Sequence, residues 1–522
     1  MADEKNTSVV VSTASVNSRS IGQPHDSDDI KLAQLGYRSE FKREFTFFDT
    51  VCFGFSVIGI IGAVSSTLTF PLISGGHFSL VWGWLIASCF VMTVAASLAE
   101  LTSSMPTSAG LYYFSAKLAP PEWAPLASWI TGWANVTGQI ALLCSIEYTC
   151  ALMITTAIAT GSDSRIIPSS GATFGILLAI LALHSVMSAF ATKIIARLTV
   201  LYTAMNVGTS VAVIVAMVVC GRQNLVSSEI AWTDFTNDTG WTNDGFAFLL
   251  AFVATMWDLI GYDAAAHISE EVSGASWSAP MAILTGVGGS AILGWGLWIA
   301  TSYTMVSIPS VTASTFSLPM GQHFVNVFGK RGALAVWSLI IVNQLMTGAA
   351  SGVDASRAVF AFARDNALPG SRWLKRVNSY TRTPVFAVWF VMFWAAILGL
   401  LGFSTAALNS LAGASVVGLY SSYAIPIFLR NWSGRSRFIP GPFSLGKWHT
   451  LIGVIAILWI IFMDIVLMFP TVTHPTSTSM NYAVVIIGAV FVFSGISWIL
   501  SARKWFKGPV PNIGEQEPVE KL

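Results

Sequence analysis

The sequence predicts an all-α membrane protein of about twelve transmembrane helices, and three observations predict it. First, only 10% of its 522 residues are charged while 54% are hydrophobic. A soluble domain carries about 25% charged residues, so most of this exterior must face lipid. Second, stretches free of Asp, Glu, Lys and Arg are long enough for one or two crossings each, a crossing needing about 20 apolar residues. Third, Lys and Arg collect in alternate connecting segments. With the N-terminus inside, every one of the 27 except Arg165, Arg222, Lys330 and Arg331 is cytosolic, which is the bias that sets membrane orientation. The net charge of +1 gives no reason to expect a nucleic-acid partner.

The elements follow in order. Residues 1–45 are rich in Ser, Asp and Lys and lack an apolar run. They read as a disordered cytosolic N-tail and not as a signal peptide. Val51 to Ala99 contains no Asp, Glu, Lys or Arg and has a turn-like break from Pro71 to Gly76, which gives spans one and two. The third runs from about 125 to 160, interrupted by Glu147. Further spans cover 168–190, 195–220, 245–269, 280–307, 334–358, 384–402, 404–429, 449–470 and 482–502. Residues 46–220 therefore hold spans one to five, 245–430 spans six to ten, 448–503 spans eleven and twelve, and 504–522 a cytosolic C-tail. The 221–244 loop lies outside, with a glycosylation sequon at Asn237-Asp238-Thr239. Cys52, Cys89, Cys144, Cys150 and Cys220 sit in apolar stretches without metal-ligand spacing. They read as small buried hydrophobes, and neither a metal nor a cofactor is expected.

Two spans break the rules of the hydrocarbon interior, where irregular backbone and charge are tolerated only beside a cavity or within protein. The first carries Gly59-Ile60-Ile61-Gly62 followed by Ala63-Val64-Ser65-Ser66-Thr67, and the sixth carries Trp257-Asp258-Leu259-Ile260-Gly261-Tyr262-Asp263. They occupy corresponding places if spans one to five and six to ten form two repeats, and Gly-interrupted helices matched in this way point to a transporter's midplane site. The competing reading is close helix packing, which small residues also serve. The substrate-binding candidates are thus Gly59, Ile60, Ile61, Gly62, Trp257, Asp258, Gly261 and Tyr262.

The intramembrane acids sharpen the expectation, because a mid-bilayer carboxylate costs about 2.5–3.5 kcal/mol and usually serves function. Asp258 and Asp263 flank Gly261. A continuous helix would set them about 140° apart, so only a break brings both to a cavity. In the third span Asn135, Gln139 and Glu147 recur at multiples of four and read as one polar stripe, with Tyr148 beside it. Glu147 either faces the cavity or makes a structural interhelical bond. Asp464 reads as a packing residue, and His184 and His267 as satisfied helix histidines. No Lys or Arg lies near mid-depth, so a substrate carboxylate must rest on free backbone N–H groups at the helix breaks. An amine has Glu147, Asp258 and Asp263 available. That chemistry suits an amino acid, a γ-amino acid or a pure cation.

Three motifs carry a resemblance. Gly75-Gly76 … Val81-Trp82-Gly83-Trp84, then Ala99-Glu100-Leu101-Thr102-Ser103 … Pro106-Thr107-Ser108-Ala109-Gly110-Leu111-Tyr112-Tyr113, resembles the second span and following loop of fungal permeases of the amino acid–polyamine–organocation superfamily. The likeness is to the amino acid/choline branch, which includes γ-aminobutyrate permeases. Gly261-Tyr262-Asp263 … His267-Ile268-Ser269-Glu270-Glu271 with Ala279-Pro280 is similar to that branch's sixth span. Ser356-Arg357 … Phe360-Ala361-Phe362-Ala363-Arg364-Asp365 … Leu368-Pro369 matches the cytosolic end of its eighth. The resemblance covers about residues 45–505.

It implies a five-plus-five inverted repeat with broken helices one and six and two peripheral helices. It also implies alternating access and proton-coupled uptake of an amino acid or γ-aminobutyrate-like amine, with Asp263 the first candidate for the proton. The first span departs from the superfamily's Gly-Ser/Thr-Gly pattern at Gly59-Ile60-Ile61-Gly62, where a substrate carboxylate would dock. The branch also holds transporters of organic cations such as choline, so choline, thiamine or a polyamine is the alternative substrate class. Glu270 and Glu271 interrupt otherwise basic cytosolic loops and are expected to pair with Arg357 and Arg364 as an inner gate; the alternative is a solvated loop pair. The plasma membrane is the expected location, with the vacuolar membrane second. A channel or an intramembrane enzyme is disfavoured, since the chain has no Gly-x-Gly-Asp or Gly-x-Ser-Gly site, P-loop or filter-like repeat.

Overall fold

A computed structural model describes residues 26–37, 41, 43–190, 192–404, 406–476 and 480–511. Among these the chain is helical throughout apart from two isolated bridges, Phe45 to Val272 and Ser74 to Asn237. Eleven helices are long and apolar enough to cross a membrane. The twelfth crossing is a broken one, built from Asp244–Leu250, Phe252–Asp258 and Ala264–His267, each piece too short to span alone. The all-α fold of about twelve spans is therefore as the sequence predicts.

The first span shows why a helix breaks where it does. A capping box at Thr46 and Asp49 starts Phe47–Ile58. Gly59 then takes φ +56°, ending that helix and opening Ile60–Thr67. Left-handed backbone costs an L-residue roughly 1–2 kcal/mol, which glycine avoids. Gly261 plays the same part in the sixth span at φ +85°. Span 3 (Ala124–Gly161) packs against both span 8 (Pro319–Arg364) and span 10 (Ala407–Asn431), span 8 packs on Ile60–Thr67 of the first break, and span 10 on Phe252–Asp258 of the second. The eighth reaches beyond the 334–358 expected from sequence and bends at Gly329, whose φ is +67°. One broken helix followed by four whole ones occurs twice along the chain.

The first and last described segments lie on one face, called the terminal face below: Gly36 packs on Pro511, and the Val510 N–H donates to Asp365 Oδ1 at 2.9 Å. The expectation of a disordered tail over residues 1–45 fails in its second half. Asp26–Gln34 is a helix, and its Lys31 reaches the Ser103 carbonyl (3.2 Å) and Ser276 Oγ (2.8 Å). Phe45 pairs with the backbone at Glu271 and Ser273. These tertiary contacts support a helix too short to persist alone. The expectations for residues 1–25 and 512–522 lie outside the described residues.

Candidate functional site

Between the two breaks lies a small cavity of about 10 Å³, lined by Val57, Ile58, Ala63, Leu142, Ile146, Trp257, Ile260, Gln344 and Thr347. That is room for about one water. The wall is apolar except for Gln344 and Thr347, both from the eighth span. Gln344 Nε2 donates to the Ile146 carbonyl at 3.1 Å, while its Oε1 lies buried against Gly62 without a partner. A methyl group at Gly62 would overlap that oxygen, and one at Gly59 would overlap Thr347 Oγ1. The glycines therefore let the eighth span touch the break directly. No side chain caps the helix Ile60–Thr67, and the Gly62 and Ala63 amides donate to the Gly59 carbonyl at 3.0 and 3.1 Å, which leaves those of Ile60 and Ile61 as the ones an anion could take.

The expected site residues divide into separate places. Trp257 lines the cavity, while Gly59 to Gly62 lie between its lining residues Ile58 and Ala63 and do not themselves line it. Trp257 also donates its Nε1 to Ser145 Oγ at 3.0 Å. Gly261 and Tyr262 form the break of the sixth span, with Tyr262 buried against Tyr423, ring centroids 5.3 Å apart. Asp258 lies off the cavity wall, where Thr67 Oγ1 donates to its oxygens at 3.0 and 3.1 Å. Asp263 lies off it on the other side and is densely solvated by protein. Asn135 Nδ2 (3.0 Å), Gln139 Nε2 (3.1 Å) and the Tyr423 hydroxyl (2.7 Å) donate to it, and His267 Nε2 stands 3.4 Å away. His267 Nδ1 is 3.1 Å from the Ser108 carbonyl, which can only accept, so Nδ1 donates there.

Glu147 does not join this group. It turns to the fourth span, where His184 Nδ1 stands 2.5 Å from Oε1. Gly348 of the eighth span leaves room for the carboxylate: a methyl there would come within 2.7 Å of it. The reason is helical phase. Asn135 and Gln139 differ by about 40° around the axis, but Glu147 has drifted about 120° from Asn135. The stripe read at multiples of four therefore splits, and of its two readings the interhelical bond is the one observed.

On the terminal face, Arg364 makes a two-pronged contact with Glu270 (3.1 and 3.2 Å), and Glu270 also accepts from Thr107 Oγ1 and the Ser108 N–H. Arg357 Nε contacts Glu271 Oε1 at 2.8 Å. All four side chains are buried, so they are not a solvated loop pair. The tail covers them. The Tyr37 ring lies over the Arg364 guanidinium (4.1 Å to the centroid), and Arg357 faces Phe41. The Tyr37 and Tyr112 hydroxyls donate to Asp365 Oδ2 at 3.2 and 2.7 Å. Burial, ahead of the nearby Asp365 charge, pushes the Tyr37 phenol well above its usual range and keeps it a donor.

Sequence reading missed Gln344, Thr347 and Asp354. Their spacing of three, four or seven places them, with Ser351, on one stripe of the eighth span. That was the available signal.

The chain is similar over most of its length to known permeases. The family model described as Amino acid permease matches residues 45–491. An uncharacterized amino-acid permease of Schizosaccharomyces pombe is 35% identical over 494 residues, covering 94% of this chain and 90% of its own. The amino-acid permease BAT1 of Arabidopsis thaliana is 33% identical over 504 residues, 94% of this chain and 97% of its own. A GABA-specific permease of Saccharomyces cerevisiae is 32% identical over 504 residues, 95% of this chain and 88% of its own.

Proposed function

Because the chain belongs to the amino acid permease family, and is thus a transporter and not an enzyme, we propose that it takes up an amino acid or a γ-aminobutyrate-like amine together with a proton, by alternating access. The observation that carries the substrate reading is the cavity between the paired breaks. The helix-start amides of Ile60 and Ile61 beside it suit a carboxylate, its wall of Val57, Leu142, Ile146 and Ile260 suits a short aliphatic chain, and Gln344 Oε1 is an unused acceptor for an ammonium. The organic-cation alternative loses ground for a physical reason. A choline-like or polyamine ligand needs a counter-charge, and neither Asp258, Asp263 nor Glu147 lines this cavity.

The terminal face is the cytosolic one in this reading, the membrane is the plasma membrane, and Glu270–Arg364 with Glu271–Arg357 close the inner gate. Substrate enters from the opposite face, displaces the wall and is released when these pairs part. The test is uptake of radiolabelled γ-aminobutyrate into cells lacking their own permeases, at acidic and neutral pH, with choline, thiamine, putrescine and common amino acids as competitors. Saturable uptake that amino compounds compete for and that rises at acidic pH is expected. Competition by choline or thiamine alone would overturn the substrate class. A rate unaffected by pH and by protonophores would overturn the coupling.

A further inference from the structure

The interior holds several acids, and all but one have an identifiable donor. Glu147 has His184, Glu270 has Arg364, Glu271 has Arg357, and Asp258 and Asp464 each have a hydroxyl, from Thr67 and Ser421. Asp263 has three hydrogen-bond donors and His267. Asp354 is fully buried, and among the described residues neither of its oxygens accepts a hydrogen bond. Gln139 lies beside it, and its carboxamide, which donates to Asp263 at 3.1 Å, reaches Asp354 only as a weaker, longer contact. Arg357, one turn further along the same helix, places its Nε on Glu271 and its Nη1 on Ser356 Oγ.

A buried carboxylate with no close donor is poorly held as an anion in a dry interior, because burying a weakly compensated charge costs more than taking up a proton. The position adds a direction. Gln344 and Thr347 line the cavity, and Ser351 and Asp354 continue their stripe towards the gate, Asp354 lying about 15 Å along the axis from Gln344 at 1.5 Å per residue. His267 stands within electrostatic reach of both Asp263 and Asp354. The charged groups around Asp354 are therefore Asp263 and His267 of the sixth span and Arg357 of its own, the last tied to Glu271.

We propose that Asp354 is the residue that carries the transported proton, and that Asp263 is a fixed counter-charge for His267. This rests on the proton-coupled reading above and replaces Asp263, the acid favoured from sequence, for a structural reason: its donors already hold the anion. One proton from water on the opposite face joins the Asp354 carboxylate to give the neutral acid. With it neutral, the interior closes around substrate; when the terminal face opens, the acid returns the proton to cytosolic water. One proton enters and one leaves per cycle, and no bond other than O–H is made or broken.

The experiment uses full-length protein in proteoliposomes with γ-aminobutyrate, or whichever compound of the uptake panel the wild type carries. It records interior acidification by a trapped pH dye, accumulation under an imposed pH gradient, and homoexchange without a gradient. Wild type is expected to show all three. Asp354→Asn is expected to keep homoexchange with no response to pH, while accumulation and acidification fall at least tenfold. Asp354→Glu restores part of both. Should Asp354→Asn not yield folded protein, the infrared carbonyl stretch of a protonated carboxyl in wild type, lost on opening in high pH and kept in Asp263→Asn, carries the same test. Wild type without proton movement overturns the coupled reading and this proposal with it. Coupled wild type together with coupled Asp354→Asn overturns the proposal alone.

Discussion

Arg364→Gln tests the gate most directly. In the closed form the guanidinium contacts Glu270 at 3.1 and 3.2 Å, with side-chain exposures of 6% and 0%. Removing one partner of a buried pair costs about 3–5 kcal/mol, because the other charge stays buried. In an open form both groups meet water, where such a pair is worth only about 0–1 kcal/mol. The change therefore falls mainly on the closed form, and the net penalty is about 2–5 kcal/mol. Glu270 retains Thr107 Oγ1 and the Ser108 N–H, which places the effect towards the lower end. At about 1.4 kcal/mol per decade, the inward-open population rises roughly 30- to 4,000-fold. The assay places Ala63→Cys at the cavity in a chain whose five cysteines are replaced by alanine, and follows maleimide labelling from the cytosolic side of inside-out vesicles. Labelling is expected to accelerate at least tenfold in Arg364→Gln and by less in Arg364→Lys, which keeps charge without the planar fork. A folded Arg364→Gln protein that labels at the parent rate would refute the gate reasoning.

The remaining predictions are shorter. Gly62→Ala is expected to displace the Gln344 carboxamide and lower uptake at least tenfold, with Gly62→Ala/Gln344→Ala recovering part of it in a double-mutant cycle; the absence of any coupling would remove Gln344 from the site. Gly59→Ala meets both a left-handed backbone and Thr347, and its melting temperature is expected to fall by more than that of Gly62→Ala, the backbone contribution alone being about 1–2 kcal/mol. Glu147→Gln breaks the contact with His184 and is expected to cost about 1–3 kcal/mol in thermal stability with substrate KM unchanged; a large KM shift in a stable protein would return Glu147 to the cavity. Deleting residues 1–37 uncovers Arg364 and is expected to speed cytosolic labelling of the Ala63→Cys reporter several-fold. An unchanged rate would make the tail a bystander.

Helix breaks are legible in sequence because the cause is local: glycine is the residue that tolerates the left-handed backbone of Gly59 and Gly261, whatever surrounds it. Intramembrane acids are legible for a similar reason, since a charge in an apolar run stands out. Their partners are not. Whether Asp258 meets Thr67, and Asp263 meets Asn135, Gln139 and Tyr423, depends on how spans 1, 3, 6 and 10 are rotated, and rotation is set by packing. Glu147 shows the limit of counting in fours on a helix of 3.6 residues per turn. Glu270, Glu271, Arg357 and Arg364 could be foreseen as pairs because unlike charges on one face seek each other. The ordered half of the tail could not, because its helix depends on surfaces brought together only in the finished bundle, among them Ser103 and Ser276.

The carboxylate of Asp365 joins parts of the chain made at opposite ends of synthesis. It receives the hydroxyl of Tyr37, which emerges before any span, and the amide of Val510, which emerges after all twelve. The contacts around Asp365, beside the Glu270–Arg364 pair, can therefore be completed only after every span has been made. A product terminated between Trp505 and Val510 keeps every span and lacks that clasp, so under the gate proposal it is expected to insert normally but to close the terminal face less firmly. Fusions placed directly after Val510 crowd the same point, and a reporter meant only to mark such a permease would alter the equilibrium it is used to observe.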